Sequence, residues 1–442
     1  MLQDLKPTCR IFAGQLFDPY LLQLVPNQLI TVSRKTGLVL DVTTFSPSLV
    51  SQLPSETIDL RHLTVVPGFV DAHVHFFLHS YAETSWADQV TKESLAERTV
   101  RATVHARKTL MAGYTSVRDL GTEGAGDADI SLRKCLSGPE PIISGPRYFT
   151  ANRAIVSSGS YGPKSSIHIN TEGVEGVAGA EAADGPTECI RAVRRQIGAG
   201  ADWIKIYADY PVRSRLTDVS PQLASRSIAT FNPEELKVLI DTAHQYGAKI
   251  AAHAKTVPVI KHLLTLGIDS IEHGSDLHAS PEAIRTLASP HCRTVWVPTL
   301  AAYYSLTGAG WEAARQSFLA VLAAGLGKVA IACGGDTGVF PHGDNALEME
   351  LMVRLGAPWE WVLRWGTLGG WECLGASTLD SDLDLDSGDN SLRFGCVRAG
   401  WAADLVGLDG DLATDFAKTV RGVEFVMKGG RVYKQNGKEV AL

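Results

Sequence analysis

The stretch VVPGFVDAHVHFF (65–77) ends an apolar run with Asp71, His73 and His75 on alternate positions. Strand side chains alternate faces, so these three polar groups point the same way. Further along, Lys205 lies in WIKIY (203–207), His253 in KIAAHA (249–254), His273 in SIEHG (270–274) and Asp336 in GGDTG (334–338). Neutral imidazole nitrogens and carboxylate oxygens are good donors for zinc and related divalent ions. Lys205 is out of place as a ligand while it is an ammonium. Its neighbours Trp203, Ile204, Ile206 and Tyr207 predict a desolvated site, however, and desolvation lowers a lysine pKa. A neutral amine adds carbon dioxide to give a carbamate, an anion whose two oxygens can bridge two ions. Two divalent ions then outweigh the carbamate and Asp336 in charge, which favours a hydroxide held between them. The expected chemistry is hydrolysis: the bridging hydroxide attacks a carbonyl, and Asp336 takes its proton and passes it to a leaving amine. Asp71 is expected to orient the site rather than bind an ion.

These residues need a scaffold that brings strand ends together. Strand-like segments occur at 64–71, 114–119, 147–151, 203–207, 249–252, 269–272, 294–299 and 329–333, with helical stretches between most of them. The run from Thr91 to Gly113 reads as a helix with a threonine cap. Asn232 followed by Pro233 predicts another helix start, with Gly247 at its end. Eight strands alternating with helices, with the candidate ligands at strand ends, predict an α/β protein built on a (β/α)8 TIM barrel whose site lies on the C-terminal face. Both chain ends are instead β-rich, with turn signals at Lys35-Thr36-Gly37, Gly429-Gly430 and Asn436-Gly437. The expected division is 1–63 and 376–442 as two parts of a small β-sandwich domain, with the barrel over 64–375. The acidic, serine-rich segment 377–391 reads as a solvated loop or linker.

Composition narrows the function classes. Hydrophobic residues make up 45% and charged residues 20%, enough apolar content for a sizeable core. A net charge of -7 argues against a general binder of nucleic acid or anionic membrane. No secretory h-region opens the chain, and no apolar run approaches the roughly 18–20 residues that span a bilayer. The seven cysteines are scattered and lack CxxC spacing, so free thiols and a cytoplasmic location are expected.

In combination and in this order, PGFVDAHVH, WIKIY, AAHA, IEHG and GGDTG resemble the metal-dependent amidohydrolase superfamily, in its prolidase-like, ochratoxinase-containing branch, with imidazolonepropionase-like proteins beyond. The resemblance extends to ECIRAVRRQIGAGADWIKI, FNPEELKVLIDTAHQYGAKIAAHA and GCVRAGWAADLVGLDGD. It implies one metal on His73, His75 and Asp336, a second on His253 and His273, and carbamylated Lys205 between them. Zinc is the first expectation, and manganese, cobalt or iron suit the same donors. It also implies a small-molecule amide substrate, such as a dipeptide, an N-acyl amino acid or an ochratoxin-like amide, and a homo-oligomer.

The sequence departs from the branch's pattern at SSGSYG (157–162), in the polar loop after Lys205 and at LGGWECLG (368–375). The substrate is expected against Tyr161, His168, Tyr207, Tyr210 and Arg213, with a phenol for a developing oxyanion and the arginine for a carboxylate. His342 is expected at the mouth. The alternatives are a cyclic-amide hydrolase, a one-metal deaminase of a heterocycle, which would need no bridging lysine, and a non-catalytic metal-binding scaffold.

Overall fold

The two chain ends meet in one sheet. In the computed structural model, which describes residues 7–46, 57–138, 140–162, 179–216, 218–375 and 389–440, the chain opens with β1 (Thr8–Asp18), β2 (Gln23–Ser33), β3 (Val39–Thr44) and β4 (Thr57–Pro67). It passes through Gly68 into β5 (Phe69–Val74). A Cβ on Gly68 would lie 2.1 Å from Thr115 Oγ1, so only glycine allows this close passage. Then follow β6 (Tyr114–Asp119), β7 (Arg147–Thr150), β8 (Ile155–Val156), β9 (Glu181–Ala182) and β10 (Trp203–Tyr207). A two-strand hairpin of β11 (Asp209–Tyr210) and β12 (Ile228–Ala229) precedes β13 (Lys249–Ala254), β14 (Ser270–His273) and β15 (Val295–Val297). The chain ends with β16 (Leu405–Leu408), β17 (Val423–Lys428), β18 (Arg431–Gln435) and β19 (Lys438–Glu439).

The end strands form a sheet in the order β19-β18-β17-β16-β4-β1-β2-β3, and the antiparallel pair β4–β16 joins the two ends. Alternation gives this sheet two buried faces. Ile11, Ile30, Val65, Leu405, Phe425 and Met427 form a core of their own. Val66, Val406, Leu408 and Val426 pack on the opposite side into the larger central core. Asp404 pins the sheet to β7: its carboxylate accepts from Arg147 Nη1 at 2.7 Å and from Gly429 N at 2.7 Å. The expected turns carry left-handed residues at Gly37, Gly429, Gly430, Asn436 and Gly437.

The central strands are parallel, in the orders β5-β6-β7 and β15-β14-β13-β10-β8-β9. Asp202 N donates to Thr150 O at 2.8 Å between β7 and the start of β10. The eighth predicted strand, 329–333, is not a strand. Trp296 N donates to Ala330 O and Ala72 N donates to Cys333 O, so the segment bonds β15 on one side and β5 on the other through isolated pairings. The glycines at 334 and 335 and the left-handed Asp336 (φ 63°) end the extended run before a ladder can form. The first predicted helix also differs. Its cap is Ser94, whose hydroxyl accepts from Glu97 N, after a separate short helix Trp86–Lys92. Glu93 is extended between the two, which takes Thr91 out of the capping role. Asn232 behaves as predicted, with a reciprocal bond pair to Glu235 and Pro233 in the first turn. The segment 377–391 lies almost wholly outside the described residues. None of the seven cysteines is in a disulfide, and among the described residues no helix is long and apolar enough to cross a membrane.

His342 is not at a mouth. It is buried and stacked on His105 of the helix Leu95–Met111, with ring centroids 4.2 Å apart. Its Nε2 meets Leu78 O at 2.9 Å, while His105 Nδ1 meets Phe76 O at 2.8 Å. The tight turn after Asp336 carries this histidine beneath the strand ends instead of over them. Burial lowers both pKa values, His105 to about 4 and His342 well below the ordinary histidine value. Both rings are therefore neutral in the folded chain, whereas the unfolded chain binds protons near pH 6.5. Folding stability should fall as pH drops from about 6.5 towards 4, by up to about 1.4 kcal/mol per pH unit for each proton. Thermal unfolding across that range should show the decline, and His105→Gln with His342→Gln should flatten it.

Candidate metal centre

β5 carries His73 and His75 directly follows it, both buried, and the turn after residue 333 brings Asp336 against them. Asp336 N donates to His73 O at 2.8 Å. Gly334 permits this contact, since a Cβ there would sit 2.9 Å from His73 N. Asp336 Oδ1 lies 3.6 Å from His73 Nε2 and 3.3 Å from His75 Nε2. One donor atom from each of the three falls within 4.8 Å of the others. β13 and β14 add His253 and His273, whose rings are 4.4 Å apart, and the His273 ring is 5.4 Å from that of His73. Lys205 is buried on β10, which pairs in register with β13.

The imidazoles are oriented from behind. His73 Nδ1 meets Glu272 Oε2 at 2.8 Å, His75 Nδ1 meets Gly121 O at 2.9 Å, and His273 Nδ1 meets Thr299 Oγ1 at 2.7 Å. Such partners fix the tautomer and leave Nε2 as the donor towards an ion. His253 Nε2 is buried and has no hydrogen-bond partner. These features are what a metal-binding group requires: lone pairs gathered in a dry site, with the other ring nitrogens occupied. Asp71 bonds to the frame of the site. Its Oδ1 accepts from His73 N and Gly335 N, and its Oδ2 from Asn345 Nδ2 at 2.7 Å, tying β5 to the Asp336 turn. The backbone is left-handed at His273 (φ 74°), Thr299 (φ 51°) and Asp336 (φ 63°), a costly state for residues other than glycine that clusters where side chains must be re-aimed.

Electrostatics follow from burial. It drives the pKa values of His73, His253 and His273 well below the usual histidine value, helped by the nearby Lys205. Lys205 is brought down to about 8 by burial, against the opposing pull of Glu272 and Asp336. For Asp336 burial acts upward, but His73 and His75 outweigh it and hold the carboxyl below its ordinary value. Burial likewise disfavours a charged His75, yet its bond to Asp336 raises it to about 9.

A cavity of about 190 Å³ opens over these groups. Tyr161, Tyr207 and Tyr210, against which the substrate is expected, line it. Arg213 does not. It is exposed in a turn closed by the bonds Ser214 N to Pro211 O and Leu216 N to Arg213 O, and Arg215, two residues on, enters the cavity wall. His168 lies outside the described residues. Several participants escaped the sequence reading. Glu272 immediately precedes His273, and strand alternation would send it away from the ligands. The left-handed backbone at His273 breaks the alternation, so both side chains reach the site. A carboxylate inside a short buried strand was the available signal, because such a group must find partners. Glu123 is buried in the glycine-rich loop after β6 and accepts from Trp86 Nε1 and the Tyr161 and Tyr207 hydroxyls. Nothing in its local pattern marked it. Lys255 and Tyr303 also line the cavity.

Comparison with known proteins agrees with this geometry. Residues 64–381 match the family model described as Amidohydrolase family. Ochratoxinase of Aspergillus niger is 27% identical over 399 residues, spanning 84% of this chain and 76% of that protein. A solved Xaa-Pro dipeptidase with bound methionine in its active site overlays with a TM-score of 0.76 at 26% identity, covering 97% of this chain and 100% of that one. The crystal structure of A. niger ochratoxinase overlays with a TM-score of 0.74 at 23% identity over 98% of this chain and 97% of that one, a likeness of fold. The matched span covers most of the chain and includes His73, His75, Lys205, His253, His273 and Asp336, and the chain is a member of the amidohydrolase family, a mixed α/β TIM-barrel superfamily of enzymes.

Proposed function

We propose that this chain is a dinuclear metal-dependent hydrolase of an amide bond in a peptide-like or N-acyl amino acid substrate. It works in a closed (β/α)8 barrel over 64–375, beside a β-sandwich made from 1–63 and 376–442. The observation that carries the reading is the buried Lys205, its pKa lowered to about 8, close enough to His73, His253, His273 and Asp336 to act on their charges. A lysine there has no use in a one-ion deaminase. The relationship to a Xaa-Pro dipeptidase at 26% identity supports a peptide-like substrate.

His73, His75 and Asp336 would hold one divalent ion and His253 and His273 the other, with Lys205 as a carbamate between them. Bound ions would polarise the amide carbonyl and lower the pKa of a water molecule. The side chains do the rest. The neutral fraction of Lys205 attacks carbon dioxide, a nitrogen–carbon bond forms, and one proton leaves. Asp336 accepts a proton from the attacking water at its carboxylate and returns it to the departing amine nitrogen. Glu272, Gly121 and Thr299 keep three imidazoles in the donor tautomer throughout. The tyrosine-rich wall excludes bulk water, which strengthens each of these interactions.

Metal analysis with a panel of dipeptides and N-acyl amino acids tests this reading. Chelation should abolish turnover and zinc should restore it at about two ions per chain. One ion per chain in a protein that turns over none of the panel would favour the deaminase. Asp336→Asn should lower kcat by about 10²–10⁴-fold while most of the metal stays bound; near-normal kcat would remove Asp336 from its role. Glu272→Gln should weaken metal affinity by roughly 10–100-fold in competition with a chromogenic chelator, through loss of the His73 anchor. Unchanged affinity would leave that anchor without function.

A further inference from the structure

The cavity wall formed by Trp86, Tyr161 and Tyr210 holds a cation whose task the amide-hydrolase reading does not explain. Arg215 lies with its guanidinium carbon 3.7 Å from the Trp86 ring centroid, 4.8 Å from that of Tyr161 and 5.6 Å from that of Tyr210. Its Nη2 donates to the Tyr210 hydroxyl at 2.9 Å. Stacking and this bond hold the group rigidly, which is the pre-organisation that makes a guanidinium a selective receptor for planar anions. Its Nη1 is buried and has no hydrogen-bond partner. Leaving a buried charged donor unmade is costly, so a site of this kind is complete only when something accepts from it.

Among the described residues Nη1 meets no acceptor in the wall. The Glu123 carboxylate, which shares it, is already engaged. Oε2 accepts from Trp86 Nε1 at 2.8 Å and from the Tyr161 hydroxyl, and Oε1 from the Tyr207 hydroxyl at 3.3 Å. Those bonds consume the indole N–H and two of the three phenol protons. In the cluster around Glu123 this leaves Arg215 Nη1 and the proton of Tyr210, whose oxygen accepts from Nη2, while Lys255 and Tyr303 line the cavity beside His273. Two adjacent donors, one of them charged, match the two oxygens of one carboxylate.

We propose that Arg215 is the specificity-determining residue of this site: its Nη1 receives a carboxylate carried by the amide substrate, and the Tyr210 hydroxyl supplies the second donor. Glu123 is a positioning residue that locks the surrounding rings and keeps their hydroxyls from competing. The catalytic consequence rests on the amide-hydrolase reading; the binding of the anion does not.

The test separates the two. Binding of 3-phenylpropionate and of 3-phenylpropionamide is measured by calorimetry on metal-replete protein, and again after chelation, because a carboxylate can also bind an ion directly. Turnover is measured on N-acetyl-L-phenylalanine and its primary amide. Arg215→Met should weaken 3-phenylpropionate by about 10–100-fold in both metal states while shifting the uncharged amide by less than about 3-fold. Tyr210→Phe keeps the ring and should cost the acid about 3–10-fold, which guards against misfolding of the arginine variant. The acid-to-amide ratio of kcat/KM should collapse in Arg215→Met. Retention of that ratio, or a loss that follows Lys255→Met in place of Arg215→Met, overturns the proposal even if amides are hydrolysed. Arginine-dependent binding in a protein that hydrolyses none of the panel upholds it and defeats the hydrolase reading.

Discussion

Glu272 is the group on which the arrangement turns. It is fully buried, so both carboxylate oxygens need partners inside the protein. One meets His73 Nδ1 and the other accepts from Arg118 Nη2 at 2.8 Å, with Ser270 as a further donor. Arg118 in turn donates through Nε to Ala72 O at 2.7 Å and stacks over Trp203. A single carboxylate thus links β5, β6, β10 and β14 and aims an imidazole. Such a pair is poor value as stability alone, because desolvating two charges roughly cancels their attraction. Its worth lies in holding His73 Nε2 in one direction.

The same logic explains the strained backbone. Period-two alternation cannot put both Glu272 and His273 to use, nor end the eighth segment with a carboxylate facing β5. Left-handed residues at His273 and Asp336 re-aim the chain at those two points. The surrounding bonds restrain them: Trp296 Nε1 holds His273 O at 2.9 Å, and His73 O holds Asp336 N. Asp71 ties these regions from beneath, through two backbone N–H groups and Asn345.

Ligands and substrate wall are built from different material. The donors sit on or directly after buried strands, where register is set by the core. The wall is assembled mostly from loops, a short helix and the two-residue strand β11, with Tyr207 at the end of β10, by contacts among Trp86, Tyr161, Tyr207 and Tyr210 around Glu123 and Arg215. Chemistry common to a family can therefore stay constant while the wall changes.

By itself the sequence determined the parts governed by short-range periodicity. HxH on a strand shares a face because side chains alternate, the parallel strands show as short apolar runs, and the Asn232 cap and glycine turns follow from local backbone needs. Only the tertiary structure decided what depends on distant neighbours. The cap at Ser94 in place of Thr91, the broken eighth strand and the burial of His342 against His105 each turn on contacts or backbone conformations that the expected local patterns do not encode. The same holds for Arg215 over Arg213: both are arginines in one polar loop, and the aromatic rings that select one come from residues 86 and 161, far away along the chain. Partner choice among buried polar groups is a matter of three-dimensional proximity, so it becomes legible only once the strands have brought those groups together.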